Sequence, residues 1–114
     1  MHIKVKSGFS AAHHIKGHEK CGKTHGHNFT ILLTVSVKDT GKQIEIDFDD
    51  LKEILDKLCS DYDHKNIGNK SSEELVRELA GKLKGELNSG GIEKFRVGVW
   101  ESEDLGVEGD WVNI

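Results

Sequence analysis

Apolar and polar residues alternate at both ends of the chain, and this period of two predicts strands there. One apolar face over residues 2–13 predicts a first strand, and a stronger alternation over residues 29–37 predicts a second. Residues 43–48 are expected to extend the sheet, and residues 95–99 and 111–114 predict two later strands. The apolar positions of the first two strands are Ile3, Val5, Phe9, Ala11, Phe29, Ile31, Leu33, Val35 and Val37.

The period changes in the middle of the chain, where apolar residues recur at the spacing of a helix. Between residues 51 and 58 they fall at i, i+3, i+4 and i+7, after aspartates that suit a helix N-terminus. Residues 61–70 are polar and predict a loop. The pattern Ser71-x-x-Glu74 predicts a capped second helix with leucines on one face, ended by residues 88–91.

The resulting order of elements is β-β-α-α-β-β, which predicts an α+β fold. Strands at both ends with helices between them favour a four-stranded antiparallel sheet with two helices on one face. A length of 114 residues predicts a single domain over residues 1–114. Exposed strand edges favour pairing, so we expect the chain to associate.

Composition bears on the cellular compartment in which the protein is expected. No apolar run approaches the length of a membrane span, and residues 1–6 alternate instead of forming the apolar region of a secretory signal. The two cysteines, Cys21 and Cys59, do not suggest a disulfide framework. Cys59 follows a leucine stripe and is expected to be a small buried hydrophobe. We expect a cytoplasmic protein.

Positive charge and histidine are concentrated in the first quarter of the chain. The net charge is −4, yet six of the seven histidines and five lysines fall within residues 1–27, with one acidic residue among them. This asymmetry favours a local anionic ligand over a broad nucleic-acid surface, with an ordinary solvated loop as the alternative.

Three histidines have the parity expected of a shared site. His25 and His27 share the parity of the second strand, so their imidazoles point the same way, and His13 ends the first strand on its apolar parity. If the two strands pair, His13 completes a triangle. Three histidines with an open fourth position are typical of a catalytic zinc site, and hydrogen-bonded surface histidines are the alternative.

Cys21 lies four residues before His25, and its role stays open between two possibilities. As a fourth ligand it would make the metal site structural. As a neighbour of the metal it would have a lowered pKa and act as a base or nucleophile.

Two further features carry candidate chemistry. Asp63-His64 is a pair suited to proton transfer, with a solvated loop dipeptide as the alternative. Glu101 continues the parity of the strand over residues 95–99, so its carboxylate needs a partner at the rim of the core. A ligand's N–H groups would serve, and so would a salt bridge to a helix.

Five motifs occur along the chain in this order: Phe9-x-Ala-Ala-His13, Cys21-x-x-x-His25-Gly26-His27, Asp47-Phe48-x-x-Leu51, Asp63-His64 and Val97-x-Val99-x-Glu101. Together they resemble the family of 6-pyruvoyl-tetrahydropterin synthases and their relatives, the 6-carboxy-tetrahydropterin synthases. The gap of three residues between Cys21 and the His-Gly-His triplet resembles the carboxy-forming branch. Departures from the family pattern fall at Lys70, Glu74 and residues 65–68, in the region that contacts the pterin.

The resemblance implies an assembly and a set of roles. Three subunits would join their sheets into a barrel, and two trimers would stack into a homohexamer. The implied zinc ligands are His13, His25 and His27. Cys21 would be the proton-abstracting base, with Asp63 and His64 as a proton relay from a neighbouring subunit. The implied pterin contacts are Glu101, Glu73, Ser71 and Ser72.

The resemblance also implies an activity. The expected reaction is zinc-dependent conversion of 7,8-dihydroneopterin triphosphate to 6-carboxy-5,6,7,8-tetrahydropterin, with release of acetaldehyde and triphosphate. The product is a precursor of deazaguanine nucleosides of tRNA. The residues expected to bind the triphosphate are Lys16, His18, Lys20 and Lys23. Alternatives are pyruvoyl formation, another side-chain cleavage, and a non-catalytic module that binds zinc or pterin.

Overall fold

The computed structural model describes residues 1–87 and 90–114, and within these ranges the chain forms six strands and two helices. The elements are β1 (His2–His14), β2 (His25–Val37), α1 (Phe48–Ser60), β3 (Lys65–Asn69), α2 (Ser72–Glu86), β4 (Ile92–Trp100), β5 (Gly106–Glu108) and β6 (Val112–Asn113).

The strands form one mixed sheet, in the order β3-β1-β2-β4-β5, with β6 also paired to β4. All pairs are antiparallel except β1 with β3, which is parallel. The expectation of a four-stranded antiparallel sheet is therefore wrong in strand number and in direction, whereas the α+β class and the two helices are confirmed.

The additional strand β3 lies within residues 61–70, which the polar pattern had assigned to a loop. Its sequence, Lys-Asn-Ile-Gly-Asn, has no apolar alternation, so its pairing with β1 rests mainly on backbone hydrogen bonds, with Ile67 as its one apolar contact with the core. Because propensity and patterning both fail for such a strand, only the tertiary structure reveals it.

The segment before α1 also differs from its prediction. Residues 43–47 are irregular and not a strand extension, and Phe48 already belongs to α1. The side chain of Asp47 accepts a hydrogen bond from the Asp49 N–H and caps the helix.

The start of α2 agrees with the sequence pattern. Ser71 is the N-cap and forms a reciprocal capping box with Glu74. The helix ends at Glu86, and the part of its predicted stop at residues 88 and 89 lies outside the described residues.

The core lies on one face of the sheet, where the helices cover the odd-numbered residues of β1, β2 and β4. Cross-strand pairs such as Phe9 with Phe29 and Leu33 with Val97 set the register of this face. Leu55 of α1 and Leu79 of α2 are fully buried in the same cluster, which confirms that both helices pack on one face. Within the described ranges, neither helix has the length and apolarity needed to cross a membrane.

Candidate metal centre and catalytic site

The pairing of β1 with β2 brings three histidines together at one end of the sheet. His13 is the register partner of His25, and His27 lies two residues further along β2 on the same face. Each of the three offers a donor atom within 4.8 Å of the others. The triangle predicted from strand parity is therefore present in the structure.

Backbone carbonyl groups fix the tautomers of two of these histidines. Nδ1 of His13 lies 2.7 Å from the carbonyl oxygen of Lys70, and Nδ1 of His25 lies 2.7 Å from that of Lys23. Because a carbonyl oxygen only accepts hydrogen bonds, each Nδ1 carries the hydrogen and each Nε2 keeps its lone pair. Metal-binding histidines in proteins are oriented by such outer partners.

The Nε2 atoms of His13 and His27 are buried and have no hydrogen-bond partner among the described residues. His13 is wholly inaccessible to solvent. A buried polar atom without a partner costs about 1–3 kcal/mol, so a function for these nitrogens is expected. Three imidazoles converging with two unsatisfied nitrogens fit a zinc ion with an open coordination position.

Aromatic rings form the floor beneath the histidines. The Phe29 ring lies edge-on to His13 and His27, with centroids 5.3 and 5.4 Å apart. Phe9 packs on Phe29, and Tyr62 stacks on Phe9 at 5.1 Å. This packed floor limits the rotamers of the imidazoles and excludes water from one side.

Glu101 follows β4 and lies beside the triangle. Its Oε2 is 3.6 Å from Nε2 of His27, so among the described residues its neighbour is a histidine and not a helix residue. Burial lowers the pKa of His27, and this effect exceeds the opposing influence of the Glu101 carboxylate. A lowered pKa favours neutral His27, the form that can bind a metal.

His27 and Glu101 open onto a cleft of about 790 Å³ on the side of the sheet away from the helices. The indole of Trp100 forms part of its wall and lies across Gly106, where a Cβ atom would come within 2.3 Å of the ring. Glycine at that position leaves room for the indole. The cleft is large enough for a small heterocyclic ligand.

Cys21 lies in the loop between β1 and β2 and is partly exposed. Its N–H donates to Nδ1 of His18, and its carbonyl oxygen accepts from the Ile15 N–H. Within residues 1–87 and 90–114, the donor atoms close enough to share a metal are those of the three histidines and do not include Cys21. This geometry favours a thiol that stands apart from the metal position.

Asp63 and His64 form a hydrogen-bonded pair at the edge of β1. Oδ2 of Asp63 is 2.7 Å from Nδ1 of His64, and Oδ1 accepts the Ser10 N–H. These bonds, with that from Ser10 first, lower the pKa of Asp63. His64 has a left-handed backbone with φ of 58° and an 83% exposed side chain, and it lines a shallow cleft with His27. The Ser10 N–H orients the Asp63 carboxylate, and the side chain of His64 stays largely exposed to solvent.

For the residues at the start of α2, the structure gives less direct support for a role in ligand binding. The Ser71 hydroxyl is engaged in the helix cap, and Ser72 is buried. Glu73 lines a separate cleft between α2 and β5, so a single chain does not bring it into the cleft of Glu101. The four basic residues of the β1–β2 loop are exposed to solvent: Lys16, His18, Lys20 and Lys23.

The contacts that sequence reasoning missed are the carbonyl groups of Lys23 and Lys70 and the ring of Tyr62. Every residue has a carbonyl group, so no residue type indicates which one will orient a histidine. Tyr62 lies within the predicted polar loop but is 5% exposed, because α2 and Phe9 cover it.

Comparison with known proteins identifies the family of the chain. A family model described as 6-pyruvoyl tetrahydropterin synthase matches residues 2–110. The chain belongs to this family. It is 36% identical over 108 residues to an Archaeoglobus fulgidus protein named "Putative 6-carboxy-5,6,7,8-tetrahydropterin synthase", covering 95% of this chain and 94% of that one. It is also 28% identical over 113 residues to a Pyrococcus furiosus dihydroneopterin monophosphate aldolase, covering 96% of each.

Solved structures of the synthase family share the fold. The 6-pyruvoyl tetrahydropterin synthase of Plasmodium vivax superposes with a TM-score of 0.84 at 21% identity, covering 100% of this chain and 98% of that one. The Caenorhabditis elegans enzyme gives 0.78 at 20% identity, covering 96% and 94%. The family predicted from the five sequence motifs is confirmed.

Proposed function

We propose that the chain is a zinc-dependent lyase that converts 7,8-dihydroneopterin triphosphate to 6-carboxy-5,6,7,8-tetrahydropterin, releasing acetaldehyde and triphosphate. The observation that carries this proposal is the triangle of His13, His25 and His27 beside the carboxylate of Glu101. The Archaeoglobus fulgidus relative, similar over nearly its whole length, supports the choice of product.

His13, His25 and His27 would hold the zinc ion, with Nε2 of His13 and His27 as donors now without hydrogen-bond partners. The ion would supply a Lewis acid for the hydroxyl groups of the substrate side chain. The buried aromatic floor keeps the three imidazoles in place. The carbonyl groups of Lys23 and Lys70 hold the hydrogens of His25 and His13 on Nδ1, away from the metal position.

Glu101 would bind the pterin. An ionised carboxylate accepts two parallel hydrogen bonds from the guanidine-like edge of the ring, which fixes its orientation. The cleft beside Glu101 has the size for the ring, and the Trp100 indole bounds it. Roles for Ser71, Ser72 and Glu73 in pterin binding rest on the resemblance alone.

Cys21 would remove a proton from the carbon that bears a side-chain hydroxyl group. A thiolate outside the coordination shell can act as a base, because it does not donate its lone pair to the metal. Asp63 and His64 would relay a proton on the other face of the substrate. Their mutual hydrogen bond orients His64 for this step, and its exposure suits an action across a subunit boundary.

The phosphate groups would lie on the basic loop between β1 and β2. Exposed cations can make several favourable contacts with a polyanion, and the rest of the chain carries a negative net charge. The proposed contacts are Lys16, His18, Lys20 and Lys23.

The proposed assembly is a homohexamer of two stacked trimers, and the product would enter synthesis of deazaguanine nucleosides of tRNA. The outer strands β3 and β5 leave backbone groups available for pairing, which supports association. Exposed apolar side chains support it as well, and the most exposed among the described residues are Ile44, Phe48 and Leu105.

A second candidate activity is a retro-aldol cleavage of the side chain, leaving a hydroxymethyl pterin. The Pyrococcus furiosus relative favours it, since that aldolase aligns with 96% of this chain. Both reactions need a base beside a metal-held hydroxyl group, so the site alone accommodates either.

Turnover of the zinc-loaded protein on the triphosphate and on the monophosphate of dihydroneopterin separates these candidates. The proposal predicts a higher kcat/KM for the triphosphate and a carboxylated product. A preference for the monophosphate with a hydroxymethyl pterin as product would favour the aldolase. Absence of turnover on both, with zinc still bound, would favour a non-catalytic module.

A further inference from the structure

Lys70 is the residue whose carbonyl oxygen orients the buried His13, and its main chain and side chain are both tied to other parts of the fold. Its N–H donates to the carbonyl oxygen of His14 at 3.1 Å, which continues the pairing of β3 with β1. Its carbonyl oxygen receives the hydrogen bond from His13 at 2.7 Å. Its ammonium group, on the other side, lies 2.9 Å from Oε1 of Glu78.

Glu78 has both carboxylate oxygens engaged. Oε1 accepts from Lys70, and Oε2 accepts from the hydroxyl group of Tyr62 at 2.7 Å. The ammonium group of Lys82, one turn further along α2, donates to the same hydroxyl group and lies over the Tyr62 ring. These bonds join α2, the end of α1 and the segment before α2 into one network.

The network is protected from solvent to a degree that gives it more weight than a surface ion pair. The side chains of Lys70 and Glu78 are 24% and 34% exposed, and Tyr62 is 5% exposed. The bond from Tyr62, reinforced by Lys70, lowers the pKa of Glu78, so the carboxylate is ionised at neutral pH.

We propose that Glu78 is a positioning residue for the metal centre, which acts through Lys70 to hold the carbonyl oxygen that selects the Nδ1–H tautomer of His13. The inference rests on the metal site of the proposed function. Glu78 is on α2 and is not one of the three residues whose donor atoms could share a metal. Its contribution is to reduce the motion of residue 70 relative to His13.

The alternative is that the network only fastens α2 to the rest of the fold. In that case its loss would lower stability and leave the affinity of the folded protein for zinc unchanged. A positioning role predicts instead that the affinity of the folded protein for zinc falls. The reason is that a histidine that also samples the Nε2–H tautomer presents no lone pair at Nε2 for part of the time.

The test compares zinc affinity, by competition with a chelator, for wild type, Glu78→Gln and Lys70→Met. Glu78→Gln keeps an acceptor for Tyr62 but loses the charge that holds Lys70. Lys70→Met keeps the Tyr62–Glu78 bond and the carbonyl group. We expect the zinc dissociation constant to rise about three- to tenfold in both, below the 10–100-fold typical of direct outer-shell partners.

The matched control is Glu108→Gln. It removes an ion pair of similar exposure and length, between Arg96 and Glu108 at 2.8 Å, on the other edge of the sheet. Its zinc affinity should equal that of wild type. A second readout is the ¹⁵N spectrum of the metal-free histidines, in which the Nε2–H share of His13 should grow in both test variants.

Unchanged zinc affinity and an unchanged His13 tautomer in folded Lys70→Met and Glu78→Gln would overturn the inference. If Glu78→Gln does not fold, Lys70→Met decides alone, since it leaves the helix contact intact. Failure of the wild-type protein to bind zinc would instead overturn the metal site and the proposed function. The two failures are therefore distinguishable.

Discussion

Nε2 of His27, in β2, and Oε2 of Glu101, which directly follows β4, lie 3.6 Å apart. Pairing of β2 with β4 brings them together, because Thr30 of β2 is the register partner of Trp100, the last residue of β4. A proposed metal ligand and a proposed pterin anchor are thus neighbours. In the proposed function, the ring and the side chain of one substrate would contact both groups at once.

This proximity predicts separate effects on substrate and metal when Glu101 is changed. Glu101→Gln should lower kcat/KM about 10- to 100-fold, because hydrogen bonds to a charged group contribute about 1.5–3 kcal/mol. Zinc affinity should stay close to wild type, since Glu101 is outside the triangle. Glu103→Gln is the control, as Glu103 lines the same cleft. Equal losses in both variants would contradict a specific role for Glu101.

Replacement of a histidine of the triangle should weaken zinc binding. His13→Asn should weaken zinc binding more than about 100-fold, beyond the cost of losing an outer-shell partner. His2→Asn, at the far end of β1, should bind zinc as the wild type does. Zinc content after dialysis against a chelator measures both. Full zinc retention by His13→Asn would exclude this residue as a ligand.

The position of Cys21 outside the group of metal-capable donors predicts a catalytic and not a structural loss. Cys21→Ala should keep its zinc and its melting temperature and lose about 10²–10⁴-fold in kcat, the range for a general base. Cys59→Ala, in the buried face of α1, should lose stability and keep its turnover per folded molecule. Loss of zinc from Cys21→Ala would support the structural alternative.

Tyr62 provides a pH-dependent test of the network around α2. Burial, followed by its hydrogen bond to Glu78, raises the pKa of the Tyr62 phenol above its usual value of 10. Because the pKa is raised in the folded state, the contribution of the Tyr62 phenol to the free energy of unfolding is present below pH 10 and is lost as the pH rises further. The chain has one tyrosine, so ultraviolet absorbance of the phenolate reports this residue alone.

The folded protein should therefore titrate above pH 10, and the urea-unfolded protein should titrate near 10. Tyr62→Phe should remove the alkaline loss of stability that this group causes. A phenolate that forms at the same pH in the folded and unfolded protein would contradict the buried network.

The sequence predicted the convergence of the three histidines better than it predicted the sheet. Parity placed His13, His25 and His27 on one face because side-chain direction in a strand follows from a period of two, whatever the neighbours are. The pairing partner of β3 does not follow from such a rule. Its residues Lys65–Asn69 are polar, and their place beside β1 depends on hydrogen bonds from a strand 50 or more positions earlier.

Long-range contacts explain the remaining differences. The capping box at Ser71 was predictable because its partners lie three residues apart. The orientation of His13 was not, because its partner lies 57 residues away and is a main-chain atom. The same holds for Tyr62, whose burial depends on Glu78 and Phe9.

The most direct measurement of the central claim is acetaldehyde release by the zinc-loaded protein from dihydroneopterin triphosphate, with the pterin product identified by mass spectrometry. The account predicts one acetaldehyde for each carboxylated tetrahydropterin, with both formed about 10²–10⁴-fold more slowly by Cys21→Ala. A pterin product formed without acetaldehyde, or acetaldehyde formed at the wild-type rate by Cys21→Ala, would contradict it.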